Sequence, residues 1–303
     1  MQLLTKNESL TDAQKAIFLQ GASYILAENT LQLGVWVENT PLHESESSIA
    51  IGACELAGAD AVKFLKDCVS YLKSEHPGRS ILGPMNGNTW MKHRLILESD
   101  GSLPFLLEPI EPDFMKEVFD EAGFTVLSRY SSSLIDLTAT QPDFEKVERI
   151  ISKQGISIRS LDEDHFVEDL KQIYDLSLSA FSNNFLYTPL PEAAFLNSYQ
   201  SAREQTDTDL VLLAFKGDEL IGFLFCLADT DPQTLIVKTL ATKPSQRTTG
   251  LGTYLVAMAQ QRAKDKGYTK AIHALQFESN SSLRISQRFD AKKFRTYGLM
   301  ISK

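Results

Sequence analysis

The sequence reads Pro244-Ser245-Gln246-Arg247-Thr248-Thr249-Gly250-Leu251-Gly252 at the junction of two regular segments. Residues 235–241 before it form a short apolar run rich in β-branched side chains, which predicts a buried strand. Apolar residues recur at helical spacing after it, with Gln260 turned away from them, which predicts a helix that ends at Gly267. The first N–H groups of a helix that follows a glycine turn favour an anion. The junction therefore predicts a phosphate-binding loop.

Neighbouring residues argue against two familiar phosphate loops. A dinucleotide-binding fingerprint needs a small residue where Leu255 stands and an acid near Leu275, at the end of the next strand. A P-loop needs Gly-Lys-Ser/Thr, which the sequence lacks here. A helix start that uses its glycines only to turn the chain stays open as an alternative.

The junction resembles the acetyl-CoA motif of the GCN5-related N-acetyltransferases (GNATs), in which a proline precedes Arg/Gln-x-x-Gly-x-Gly/Ala. The matching residues are Pro244, Arg247, Gly250 and Gly252. The predicted elements around them also follow the family's order: a hairpin at 210–226, strands at 235–241 and 271–275, a helix after Asn280 and a closing strand at 294–301. The resemblance covers residues 156–303.

This resemblance implies that acetyl-CoA is bound mainly by backbone groups of the strand, the loop and the first helical turn. The residues it assigns to the coenzyme are Leu240, Ala241, Thr242, Arg247, Thr248, Thr249, Gly250, Leu251, Gly252, Thr253 and Asn280.

The resemblance also implies direct attack of an amine on the thioester, which requires a base, oxyanion donors and an acid. Many family members place a tyrosine seven residues after the equivalent of Asn280, but Gln287 stands there. Ser286 and Tyr297 are therefore the candidate acids, with water or a slow reaction as alternatives. The strand before the loop offers only Lys238 where relatives often use a carboxylate, so His273 is the candidate base.

Residues 181–189 form an aromatic, turn-rich segment at the position where the family binds its acceptor. Asn184 and Tyr187 are the predicted acceptor contacts in this segment. An ordinary helix end packed on the core is the alternative interpretation.

Charge is distributed unevenly along the chain. Residues 239–303 carry twelve basic and three acidic side chains, although the whole chain has a net charge of −9. A local positive field would attract the phosphates of coenzyme A. The net negative charge and the lack of a basic stripe interleaved with aromatic residues argue against nucleic acid. None of the five histidines stands at metal-ligand spacing, so we expect no metal.

The pattern of predicted elements indicates an α+β fold, and the resemblance implies two tandem GNAT-like domains, each a mixed, mostly antiparallel sheet flanked by helices. We expect a degenerate GNAT-like domain at 1–140, a linker helix at 141–155 and the acetyl-CoA-binding domain at 156–303. Where the first half should carry its loop, it has one glycine, Gly58, between Glu55 and Asp60, which would repel a pyrophosphate. An unrelated α/β partner domain stays open.

The sequence thus predicts an N-acetyltransferase that acts on a primary amine of a small molecule or a protein. The alternative is a non-catalytic acyl-CoA-binding sensor or interaction protein. No signal peptide or membrane span is visible, and the cysteines (Cys54, Cys68, Cys226) lack the spacing of a disulfide framework, so we expect a cytoplasmic protein without a membrane partner. The sequence leaves the oligomeric state open, a homodimer included.

Overall fold

A computed structural model describes residues 1–139, 142–201, 203, 206–246, 250–280 and 282–303. The strands are β1 (Gln2–Leu4), β2 (Tyr24–Glu28), β3 (Leu31–Trp36), β4 (Leu42–His43), β5 (Glu46–Ser47), β6 (Ile49–Glu55), β7 (Ile81–Gly83), β8 (Leu95–Ser99), β9 (Thr125–Asp136), β10 (Ile156–Ser160), β11 (Leu212–Lys216), β12 (Glu219–Ala228), β13 (Thr234–Thr242), β14 (Lys270–Phe277) and β15 (Lys292–Ser302). The helices are α1 (Asp12–Leu19), α2 (Ala61–Glu75), α3 (Met115–Glu121), α4 (Glu145–Lys153), α5 (Phe166–Phe181), α6 (Glu192–Ser201), α7 (Leu251–Asp265) and α8 (Ser282–Gln287).

One mixed sheet runs through both halves of the chain, in the order β1-β2-β3-β6-β7-β15-β9-β14-β13-β12-β11-β10. The pairs β6–β7 and β13–β14 are parallel and the other pairs along this path are antiparallel. The final strand of each half is exchanged. Strand β9 of the first half pairs with β14, and β15 of the second half pairs with β7.

The sheet is covered on both faces in the second half, and the sequence of β13 shows why. Leu235 packs into a core with Leu255 of α7, whereas Ile236 packs into a core with Leu170 of α5. Successive side chains of a strand point to opposite faces. A strand that is apolar at consecutive positions is therefore buried between two layers of helices.

The α+β class with two GNAT-like halves is confirmed, and the element predictions agree well with the structure. Each half has a parallel strand–helix–strand unit, namely β6-α2-β7 and β13-α7-β14. The sequence prediction missed the helices α1 and α6 and the strands β1, β2, β4, β5 and β8. The prediction for Gln260 was wrong, because this side chain is buried on α7 rather than turned to solvent.

The linker helix is observed as α4, whose Ile151 packs into the core that α7 forms with β13. The domain boundaries themselves stay a prediction, and the exchanged strands mean that each half completes the sheet of the other. Within the described part of the chain, no helix combines the length and the apolar character needed to cross a bilayer.

Candidate functional site

The central feature of the site is a gap between β13 and β14. The two strands pair from Thr234↔Lys270 to Val237↔His273 and then separate. Strand β13 continues along β12 as far as Thr242, whereas β14 stays paired with β9 along its length, with a register shift between His273 and Gln276. Leu275 lies in this irregular segment with φ of 56°. A parallel pair that opens in this way leaves one edge of β13 without a strand partner.

Backbone N–H groups of β13 point into this gap. Lys243 donates its N–H to the carbonyl of Ile221 on β12, at 2.8 Å. Successive N–H groups along a strand point to opposite sides, so those of Thr242 and Leu240 point away from β12 and toward the gap. By the same alternation, the N–H of Ala241 faces β12.

Helix α7 begins beside the gap. Gly250 precedes it with φ of 85°, a conformation that favours glycine, and Val147 of α4 lies next to it. Gly252 allows a close approach to β13, because an added Cβ would lie 3.3 Å from the Leu240 side chain. Leu251 and Thr253 are buried in the first turn. The predicted coenzyme contacts Arg247, Thr248 and Thr249 lie outside the described residues.

A cavity of about 290 Å³ opens at the gap, and a second cavity of about 610 Å³ adjoins it. Both are lined by residues of the two halves. Of the predicted site residues, the first cavity is lined by Leu240, His273, Asn280, Asn184 and Tyr187. The hydroxyl of Tyr187 is buried and makes no hydrogen bond.

The sequence prediction assigned no residue of the first half to this cavity. Trp90, His93, Arg94 and Tyr130 line it. They reach it because the strand exchange brings β9, and the segment that leads into β8, to the edge of β14. No local pattern marks these residues, since their position depends on the pairing of strands that are far apart in sequence.

His273 is held as a neutral imidazole. Its Nδ1 lies 2.7 Å from Ser286 Oγ and its Nε2 lies 2.9 Å from the amide nitrogen of Gln260, while Ser286 donates to the Gln276 carbonyl oxygen at 2.9 Å. Burial lowers the pKa of His273 to about 3. A general base works best with a pKa near the operating pH. This environment therefore does not favour the predicted role of His273 as base, and Ser286 serves to hold the ring.

Tyr297 lies away from the cavity. It is fully buried on β15, where its hydroxyl donates to Glu108 and is 3.1 Å from Ser132 Oγ. Burial and the hydrogen bond to Glu108 raise the pKa of Tyr297 well above its usual value. Glu108 in turn forms a buried ion pair with Arg295. The structure does not bring Tyr297 together with the other predicted site residues.

Two cations line both cavities, Lys238 of β13 and Arg94 of the first half. Burial, and then the charge of Arg94, lower the pKa of Lys238 to about 8. Burial lowers the pKa of Arg94 to about 10. Lys238 stood out in the sequence as the charged residue of an apolar strand, but its neighbour Arg94 did not.

The corresponding gap in the first half is closed. The Asn86 side chain accepts a hydrogen bond from the N–H of Ala53 on β6, at 2.9 Å, and donates to Gln20 at 2.8 Å. A Cβ added to Gly52 would lie 2.2 Å from the Asn86 carbonyl oxygen. The space that lies open between β13 and β14 is filled between β6 and β7.

Acidic residues neutralise part of the positive charge of the second half. Lys266 bridges Asp207 and Asp209, and Lys243 pairs with Glu219. The local field is therefore weaker than the count of basic residues suggests.

The family model named Acetyltransferase (GNAT) family matches residues 170–289. This part of the chain is a GNAT domain. The matched range contains the β13–β14 gap, most of α5, all of α7 and most of the residues that line the smaller cavity, whereas the residues contributed by the first half lie outside it. No curated protein sequence matches the chain.

Solved structures similar to this GNAT-containing chain cover both of its halves. They include a GCN5-related N-acetyltransferase from Sphaerobacter thermophilus (12% identity, TM-score 0.55, 91% of this chain and 77% of that chain). A tandem GNAT protein from the clavulanic acid biosynthesis pathway matches with 9% identity and a TM-score of 0.52, over 92% of this chain and 81% of that chain.

A third similar structure is the GCN5-related glucosamine N-acetyltransferase region of a fungal multi-domain GH3 β-N-acetylglucosaminidase. It matches with 15% identity and a TM-score of 0.56 over 98% of this chain, which spans 35% of the fungal chain. At these identities the likeness concerns the fold.

Proposed function

We propose that the protein is an N-acetyltransferase that transfers an acetyl group from acetyl-CoA to a primary amine of a small molecule or a protein. The observation that carries this proposal is the opening of β13 from β14 directly beside the start of α7. The gap presents the N–H groups of Leu240 and Thr242, and it leads into the cavity between the halves. The coenzyme supplies the thioester, and these N–H groups are suited to bind its amide and carbonyl oxygens.

The cavity offers a physical route to a deprotonated amine without a carboxylate base. Positive charges lower the pKa of a neighbouring ammonium group. Lys238 and Arg94 would do so for an acceptor amine bound in the cavity. The unpartnered hydroxyl of Tyr187 is our candidate for donating a proton to the departing thiolate, because it lines the same cavity.

A non-catalytic acyl-CoA sensor is the second candidate. Among the described residues that line the cavity at the gap there is no carboxylate, and His273 is a weak base there. A protein that only binds acyl-CoA needs neither group. We also propose that only the second half binds the coenzyme, because Asn86 fills the corresponding space in the first half.

Release of free CoA thiol from acetyl-CoA, measured with a panel of amines, separates the two candidates. The transferase is expected to release thiol with at least one amine. The sensor would show heat on titration with CoA but no amine-dependent release. If CoA produces no heat and no thermal stabilisation, both candidates fail.

A charge reversal tests the binding loop. Arg247→Glu is expected to weaken CoA binding by about tenfold or more, since a charged contact to phosphate contributes about 1.5–3 kcal/mol. Isothermal calorimetry measures this change. Lys264→Glu makes the same charge change on the exposed distal end of α7 and is the matched control. Equal losses in both variants would contradict the assignment of the loop.

A further inference from the structure

Arg94 is a strained and incompletely satisfied buried cation. The residue is 7% exposed, and its φ of 72° is uncommon for a residue with a side chain. Its guanidinium lies 3.9 Å from the centre of the Tyr130 ring. One terminal nitrogen is 2.6 Å from His93 Nε2 and the other is 3.3 Å from the Leu275 carbonyl, but Nε is buried without a hydrogen-bond partner.

His93 cannot neutralise this guanidinium. Its Nδ1 lies 2.8 Å from the Met91 carbonyl oxygen, which assigns the proton to Nδ1 and leaves Nε2 as an acceptor for Arg94. Burial and the charge of Arg94 lower the pKa of His93 well below its usual value. The histidine is thus a neutral acceptor, and the charge of Arg94 stays uncompensated.

Lys238 adds a second uncompensated cation from the opposite half. It lies at a β-bulge of β13, where the pairing with β12 passes from Val237 to Thr239, and it lines the larger cavity together with Tyr199 of α6 and Phe225. Lys238 and Arg94 line both cavities at the place where they meet. Within the described residues, neither of them forms an ion pair.

The nearby acidic side chains already have partners. Glu108 lines the larger cavity but is paired with Arg295 and accepts the hydroxyl of Tyr297. Glu111 is paired with Lys92 at 2.8 Å. Buried charges in proteins are normally paired, because an isolated charge loses its hydration without compensation. Two cations left unpaired at one cavity indicate a ligand that brings the missing negative charge.

We infer that Arg94 and Lys238 form a binding site for a carboxylate, carried by the amine that the protein acetylates. The acceptor class is therefore an amino acid or another amine that bears a carboxylate. An Arg guanidinium is well suited to carboxylate geometry, and the lysine adds a second charged donor. The aromatic side chains of Trp90 and Tyr187 would contact the rest of the acceptor. This inference rests on the proposed function, and it identifies the substrate class for the same cavity.

The same carboxylate could come from the acyl group, as in succinyl-CoA, so the experiment has two arms. The first compares thiol release from acetyl-CoA with L-amino acids and with their C-terminal amides. The expected result is a kcat/KM higher by about tenfold or more for the preferred acid than for its amide. The second compares succinyl-CoA with acetyl-CoA for the amides. A preference for succinyl-CoA would assign the carboxylate to the acyl group and overturn the acceptor assignment.

A readout without turnover keeps this inference separate from the proposed function. N-acetylglycine, N-acetyl-L-leucine, N-acetyl-L-phenylalanine and N-acetyl-L-glutamate are compared with their amides in thermal unfolding. At least one acid is expected to raise the unfolding midpoint more than its amide does. Equal shifts for every acid and its amide would overturn the carboxylate site, even if CoA binds and amines are acetylated.

Two variants test the assigned side chains. Lys238→Met keeps the length of the side chain and removes its charge, and Arg94→Gln removes the other charge. In both variants, the acids and their amides are expected to shift the unfolding midpoint equally, while CoA still binds. Lys238→Met should also raise the unfolding midpoint of the ligand-free protein, because an unpaired charge is removed from the cavity. Lys216→Met at the exposed end of β11 is the control. If the Lys238→Met variant still distinguishes the acids from their amides as well as the original chain does, the inference is wrong.

Discussion

At the scale of single residues, buried polar side chains set the chemistry of the cavity. His273 has both ring nitrogens engaged, by Ser286 and Gln260, and this arrangement keeps it neutral. Arg94 and Lys238 show the opposite case, two cations at one cavity without a counter-charge. A buried group with partners is structural, whereas a buried group without them points to a ligand.

The depressed pKa of His273 predicts a dependence of stability on pH. Its pKa of about 3 in the folded chain lies below the value of about 6.5 in the unfolded chain. Between these two pH values only the unfolded chain takes up the proton. The contribution of His273 to the free energy of unfolding is therefore complete above pH 6.5 and is lost as the pH decreases. Through this residue, the free energy of unfolding changes with pH by up to about 1.4 kcal/mol per pH unit.

Urea unfolding at pH 7, 6 and 5 measures this slope. His273→Gln is expected to reduce the loss of unfolding free energy on acidification, although His93 retains a contribution of the same sign. His165→Gln is the control. The exposed His165 has a pKa raised by Asp162, so its contribution has the opposite sign. An unchanged slope in His273→Gln would argue against the buried neutral ring.

At the scale of elements, two related strand–helix–strand units differ in whether their parallel strands separate. The β13–β14 pair opens after Val237 and His273. In the first half, the side chain of Asn86 and the backbone of Met85 form hydrogen bonds with β6 at the corresponding place. Met85 donates its N–H to the Ile51 carbonyl at 2.7 Å. The open pair can receive a ligand, and the closed pair contributes to stability.

Asn86→Ala tests this division of roles. The substitution leaves the N–H of Ala53 without its acceptor and is expected to cost about 1–3 kcal/mol of unfolding free energy. CoA affinity should be unchanged, because the proposed coenzyme site lies in the other half. Denaturant unfolding and calorimetry measure the two quantities, with Asn7→Ala at an exposed position as the control. If the variant binds less CoA than its fraction of folded protein accounts for, a coenzyme site lies in the first half.

At the scale of the whole molecule, the exchange of β9 and β15 joins the halves into one sheet. Strand β15 lies between β7 and β9, and its Met300 packs into the core of the first half. The same arrangement carries Arg94 and Tyr130 to the cavity of the second half. Shared strands thus provide both the stability of the first half and part of the wall of the site.

This arrangement predicts that the halves unfold together. Thermal unfolding of the full chain is expected to show one cooperative transition, and a chain that stops after residue 290 should lose the soluble fold of both halves. Removal of the edge strand within residues 1–5 is the control and should preserve the single transition. Two separate transitions in the full chain, or a soluble folded fragment 1–140, would contradict the shared sheet.

Local patterns predicted most helices and strands. The reason is that the spacing of apolar residues, as in 235–241 and in α7, shows which face of a strand or helix is buried, and this spacing can be read from neighbouring residues. They missed α1, α6 and the strands β1, β2, β4, β5 and β8, and they misjudged Gln260, which is buried on α7 beside His273 of β14. The sequence motif at 244–252 and the proposed acceptor segment at 181–189 were recognisable from residue types alone. The residues contributed by the first half were not.

The amino-acid sequence alone determined the α+β class, the GNAT unit and the position of the proposed phosphate-binding junction, since each depends on residue types at short, regular spacings. The tertiary structure alone decided that His273 is neutral, that Tyr297 lies away from the cavity and that Arg94 stands beside Lys238. These properties depend on desolvation and on contacts across exchanged strands. Both arise only when segments distant in sequence pack together.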